Sequence, residues 1–282
     1  MAVETPSRPV TTATHAPTAT PSSVLRGVMS GQRRSLVFWS IALAAVSVIY
    51  ITFYPAIGEQ QMVDMAEMIP EDMAAALGYD RLGDAAGYLT ATVYGLLGPA
   101  LLLVFSIGTG GRLLAGGEED GTLELEFAHP VSRRSVYLER LLGLWANVAI
   151  LVLVLSAVSL ALVVVLDLDV GLAGVTAGSL GLLLFVVTHA TVAFALGAAT
   201  GRRAVGLAAA AGLAVIGYVG DAIGPMVEGA EWLQTISPWY WFLGGDPLVE
   251  GVDLGGFALL IALTLVVAVV GMLRFQKRDL GV

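Results

Sequence analysis

Apolar residues run along this chain in long uninterrupted blocks, not in alternation with polar ones. Six blocks reach or approach the ~20 helical residues that a bilayer's hydrocarbon core requires. They are Leu36 to Tyr54, Ala85 to Ile107, Leu141 to Leu166, Gly171 to Ala199, Ala204 to Val219 and Leu254 to Leu273. Each predicts a helix, because an open strand edge leaves backbone groups unsatisfied in lipid. A β-barrel would alternate lipid-facing and lumen-facing positions, and these blocks do not. The fourth block is long enough to tilt or protrude, and the fifth is short. The expected fold is all-α: a polytopic membrane helix bundle with six transmembrane helices.

Composition agrees. Hydrophobic residues make up 57% of the 282 and charged residues 13%, against ~25% charged in soluble domains. The first thirty residues are rich in Pro, Thr, Ser and Ala and lack the apolar core of a cleavable signal peptide. They read as a disordered tail, too polar to bury a core. The expected division is a tail 1–34, a six-span domain 35–274 and a second tail 275–282. Within the domain, a loop 108–140 lies on one side of the membrane, and segments 55–84 and 220–253 lie on the other.

Charge sets the expected orientation. Six spans put both termini on one side, and that side then holds every Lys and Arg except Arg81. Basic residues favour the cytoplasm, so both termini and loop 108–140 are expected to be cytoplasmic, in a plasma-membrane protein. Without the short fifth span the parity changes, and the basic stretch Arg274 to Arg278 would lie outside. Most acids fall on the opposite side, a pattern that suits either cation attraction or an acid-rich surface adapted to high salt.

The chemistry the chain lacks is equally informative. There is no cysteine, so disulfides, thiolate metal sites and thiol catalysis are excluded. His15, His129 and His189 are far apart, so no metal cluster is expected. No Asp, Glu, Lys or Arg lies near the centre of any span, where a charge costs ~2.5–3.5 kcal/mol and is kept mainly for ion coupling. His189 is the only such titratable group, tyrosines aside; a lone histidine there more often bonds a neighbouring helix than carries protons. Neither paired intramembrane Asp nor HExxH is present. The only lysine, Lys277, follows no glycine-rich turn, so the chain has no phosphate-binding P-loop of its own. If it moves a solute with ATP, the ATPase is a separate polypeptide. Gly174 with Gly178, and Gly197 with Gly201, suggest close helix packing. Gly98 and Pro99 should bend span two.

Loop 108–140 carries the most specific pattern. Leu123, Leu125 and Phe127 interleave with Glu124 and Glu126, an alternation that by itself reads as a strand. Pro130 breaks the segment. Ser132 can then N-cap a helix running through Val136, Leu138 and Leu141 into span three, beside a basic elbow at Arg133 and Arg134.

This segment resembles the ABC-2 type permeases of ATP-binding-cassette exporters. Their loop reads E-E-x-G-T-L-(D/E)-L-L-L-x-x-P-(V/I)-S-R before an apolar run. The matching residues are Glu118, Glu119, Gly121, Thr122, Leu123, Glu124, Leu125, Pro130, Val131, Ser132 and Arg133, with Glu126 in place of a leucine. The resemblance implies a coupling helix that docks on a nucleotide-binding subunit. Weaker resemblances run from Ile69 and Pro70 to Gly78, an outer amphipathic helix, and through Ser237, Pro238, Trp239, Tyr240, Asp246, Pro247, Leu248 and Gly251. That second stretch would be partly re-entrant, or the plain aromatic belt that Trp232, Trp239, Tyr240, Trp241 and Phe242 suggest.

The expectation is then the permease subunit of an ABC exporter for a hydrophobic or amphipathic cargo. Its partners would be ABC ATPase subunits, a second permease chain (identical or related) and the bilayer, with no nucleic acid. ATP and Mg would belong to the ATPase, with no cofactor on this chain. Coupling falls to Glu118–Arg133, and Pro99, His189, Trp239 and Tyr240 are candidates for the pathway or gate. Two other readings stand beside it: a membrane scaffold or regulatory protein that transports nothing, and a carrier using His189.

Overall fold

The computed structural model describes residues 31–70, 73–74, 78–79, 81–123 and 131–278. In chain order its helices are α1 (Arg33–Ile57), α2 (Glu59–Glu67), α3 (Ala85–Leu113), α4 (Ala115–Glu119), α5 (Arg133–Val165), α6 (Leu172–Thr200), α7 (Arg203–Ile223), α8 (Trp232–Thr235), α9 (Pro238–Leu243) and α10 (Leu254–Lys277). Among the described residues there is no strand. Six of these helices are long and apolar enough to cross a bilayer, one for each expected block. The short fifth block is a full crossing, because α7 continues through a 3₁₀ turn to Met226. The helices also outrun the blocks at their charged ends: α1, α5 and α7 begin on Arg33, Arg133 and Arg203, and α10 ends on Lys277. Long basic side chains lay their stems along apolar surface while the charge reaches polar surroundings.

α6 is the hub. Of its most apolar stretch, 78% is buried, against 17% for α1. Helix α1 buries only Leu43, Ser47 and Ile51, one residue per turn, and leans on α5. Its remaining faces are apolar and exposed, as lipid contact requires. Three neighbours meet α6 through glycines: Gly110 of α3 abuts the Ala190 carbonyl, Gly206 of α7 meets Ala193, and Gly271 of α10 meets Ala195. A Cβ on Gly110 would lie 2.7 Å from that carbonyl oxygen, so alanine there would force the helices apart. Lipid tails are as apolar as leucine, so helix association relies on such close approach and on interhelical hydrogen bonds of about 0.6 kcal/mol each. Thr188 and Thr264 share one at 2.8 Å, Trp145 Nε1 donates to Thr191 Oγ1 at 2.9 Å, and Tyr137 Oη donates to the Ala268 carbonyl at 2.9 Å.

The bend expected at Gly98 and Pro99 takes a definite form: turns Thr90–Leu97 of α3 are π-helical. Proline brings no N–H and its ring crowds the carbonyl four residues back. Widening the preceding turns relieves both, and the Gly98 N–H bonds Val93 O, five residues back.

Gly174 and Gly178 pack differently from the expected helix crossing. They receive Leu248, whose carbonyl lies against Gly174 and whose side chain lies over Gly178. The segment after α9 therefore dips onto the end of α6. Asp246 anchors it with φ +44°, by accepting an ion-pair hydrogen bond from Arg81. Arg81 also pairs with Asp84 at 3.1 Å. Partial burial works against the Arg81 charge, but the two carboxylates outweigh it and raise the guanidinium pKa above its ordinary value.

Candidate functional site

The basic end of the bundle gathers most of the expected coupling residues that the structure describes. Helix α4 follows α3 after Leu114, and Leu114 and Ala115 are buried. Ala115 packs on Gly197, so α4 is pinned to the end of α6. Its last two residues then reach two other helices. Glu118 forms an ion pair with Arg278, just beyond α10. Glu119 Oε1 accepts a hydrogen bond from the Arg203 backbone N–H at 2.9 Å. The first N–H groups of a helix have no partner within it, and they carry partial positive charge. Glu119 answers both at the start of α7.

A tight turn follows. Gly121 has φ +70° and its N–H bonds Glu118 O at 3.1 Å. Thr122 Oγ1 donates back to Gly117 O at 3.1 Å, and Leu123 is 1% exposed. Thr122 and Leu123 are helical. Glu124, Leu125 and Pro130 lie outside the described residues, as do Glu126, Phe127 and His129.

On the far side of the loop, Ser132 is the N-cap of α5, its hydroxyl accepting from the Ser135 N–H at 3.1 Å. The next residue, Arg133, donates to the Arg278 carbonyl at 2.6 Å. Arg278 thus joins both flanks of the loop, Glu118 through its side chain and Arg133 through its main chain. Arg140, about two turns into α5, donates to the Leu113 carbonyl at the end of α3. Gly201 closes α6 in the left-handed conformation (φ +69°), and its Cα faces the Glu118–Arg278 pair with no room for a Cβ. Five crossing helices, α3, α5, α6, α7 and α10, therefore meet at one clasp.

The candidate pathway residues are spread along the bundle. Pro99 is buried in α3. His189 is fully buried in α6, but its Nδ1 bonds Phe185 O of its own helix at 2.8 Å and not a neighbouring helix, and its Nε2 has no partner. Trp239 and Phe242 are on the buried face of α9, so they are not belt residues; Trp232 and Tyr240 are exposed. Trp239 packs on Phe185 with ring centroids 4.6 Å apart and planes tilted by 56°, and Phe185 packs on His189 at 4.4 Å, so an aromatic chain joins α9 to mid-α6. Trp239 and Tyr240 also line a cavity of about 390 Å³ at the acidic end, which Pro99 and His189 do not reach.

Arg278, Arg203 and Asp221 carry parts of these sites but matched no motif, and Gly201 was legible only through its spacing from Gly197. The Glu118–Arg278 pair spans 160 residues and had no sequence signal beyond opposite charges on one side.

The model of the ABC-2 family transporter proteins matches residues 29–280, which takes in all six crossing helices and the clasp. No curated protein matches the chain. The chain belongs to the ABC-2 transporter family, as a multi-pass permease subunit of an ABC transporter that partners an ABC ATPase.

Proposed function

We propose that this permease exports a hydrophobic or amphipathic molecule and that its clasp is where the ATPase grips it. In this reading the basic end faces the cytoplasm of a plasma-membrane protein, as its arginines favour. ATP and Mg bind the ATPase subunits, and two permease chains, identical or related, enclose the pathway. The observation that carries the reading is the bonding of α4: Glu118 holds Arg278 beyond α10 and Glu119 holds the start of α7. A force on residues 118–133 thereby acts on several crossing helices at once. Closure of the ATPases displaces the loop, the attached helices tilt as packed bodies, and access switches between two arrangements.

Apolar walls and the lack of a charged ring in mid-membrane fit an apolar or amphipathic cargo. A scaffold reading has no specific observation in its favour. The test is reconstitution with the partner ATPase after Glu118→Ala and Glu119→Ala are made together. The expected result is ATP hydrolysis that no longer drives transport, or a complex that no longer holds. Full affinity with full ATP-driven transport removes the coupling role.

A further inference from the structure

The cavity at the acidic end has a composition that selects one ligand chemistry. It lies between the π-helical turns of α3, the end of α7 and the α8–α9 segment, and its volume is about 390 Å³. That is within the range of small-molecule sites, roughly 300–1,000 Å³. Asp221 supplies its one acidic group among the described lining residues, and no Lys or Arg is among them. The Gln234 side chain lies beside the Asp221 carboxyl. Gln234 is neutral, so it leaves the charge uncompensated. The basic residue at this end, Arg81, is committed to Asp84 and Asp246.

Aromatic rings make up much of the remaining wall: Tyr79, Tyr218, Trp239 and Tyr240. Tyr218 and Trp239 meet edge to face at 5.2 Å, and Trp239 Nε1 donates to Ala214 O at 2.9 Å, so this corner is fixed before any ligand arrives. The Thr90 hydroxyl, also on the wall, is buried without a hydrogen-bond partner. A carboxylate among aromatic faces, partly withdrawn from water, is stabilised by an organic cation: the charge pairs with the acid and the rings accept its positive face. An anion would meet repulsion, and a neutral ligand would leave the acid unanswered.

We propose that this cavity binds a hydrophobic organic monocation, of the quaternary ammonium or phosphonium type. As a cargo site the assignment rests on the permease reading; as a binding site it stands on the cavity alone. The π-helical turns shape one wall through Thr90, Ala91, Gly95 and Leu96, which gives the widened stretch of α3 a role in ligand contact.

The test is equilibrium binding of radiolabelled tetraphenylphosphonium to the purified full chain in nanodiscs, without ATPase. The expected result is saturable binding that neutral triphenylphosphine oxide does not displace, weakened at least about tenfold by Asp221→Asn. Gln234→Lys, which sets a competing cation beside Asp221 on a part-exposed residue, should weaken it similarly; it keeps the test decisive if Asp221→Asn fails to fold. Equal binding by the variants, equal displacement by the neutral compound, or partition into lipid without saturation each overturn the proposal. None of these outcomes bears on ATP coupling, which is read separately from the reconstituted complex.

Discussion

Glu118 and Arg278, 160 residues apart, form an ion pair directly beneath Gly201, at the point where α4, α6 and α10 converge. Their side chains are 16% and 22% exposed, so the pair is partly shielded from solvent. Arg278 also offers its main-chain carbonyl to Arg133. One residue therefore closes the loop from both sides.

Breaking that pair should loosen the clasp without unfolding the bundle. A double-mutant cycle with Glu118→Gln and Arg278→Gln should return a coupling energy of about 0.5–3 kcal/mol, read from thermal unfolding in detergent. The charge-exchanged pair, Glu118→Arg with Arg278→Glu, should recover part of the loss. Independent effects in the cycle would mean that the two residues do not interact.

Gly201 admits no side chain. Its φ of +69° disfavours any Cβ, and the Arg278 guanidinium occupies the space. Gly201→Ala should destabilise by about 1 kcal/mol or more. Gly212→Ala, where nothing lies within 4 Å, is the matched control and should leave the melting temperature unchanged or raise it. Equal melting behaviour of the two variants would contradict the geometry.

Pro99 is expected to maintain the π-helical turns through its missing N–H. Pro99→Ala restores the donor, and turns Thr90–Leu97 should relax towards α-helix. Folded stability should move by less than about 1 kcal/mol, while transport falls because Thr90, Ala91, Gly95 and Leu96 shift on the cavity wall. The check is transport rate beside melting temperature in the same preparation.

Arg81 ties the start of α3 to the turn at Asp246. Its pKa is raised by the two carboxylates against partial burial. The sign follows: a raised basic group stabilises fully below its ordinary pKa and loses that contribution only as pH climbs through the higher, folded value. Arg81 therefore remains charged throughout the near-neutral range. Arg81→Gln should lower stability by about 0.5–1 kcal/mol, by the same amount at pH 6 and pH 8, and less at high salt. Melting curves at two pH values and two salt concentrations decide it.

Much of the architecture was legible because lipid leaves a chain few choices. Each apolar block had to be a helix, and Ser132 marked the start of α5 by residue type alone. The glutamates of the loop were visible through their resemblance to a family pattern. Their partners were not: Glu118 finds Arg278 and Glu119 finds the Arg203 amide only after the helices pack, and neither distance in sequence is encoded by periodicity. Gly174 and Gly178 had the spacing of a helix-crossing motif, yet that spacing equally accepts a loop, here Leu248. Helix α2 went unread because its polar positions, such as Gln60 bonded to Asp64, mask any apolar stripe. The tail 1–30 and half of the expected helix from Ile69 to Gly78 lie outside the described residues.

For the ATPase to grip the clasp, the clasp must face the compartment that holds the ATPase. The chain has no cysteine, so a single Asp120→Cys reports unambiguously, and Asp120 is exposed. The measurement is labelling of that cysteine by a membrane-impermeant maleimide in right-side-out and in inverted membrane vesicles. Labelling is expected in inverted vesicles alone, with bound ATPase protecting the site. Labelling in right-side-out vesicles would contradict it.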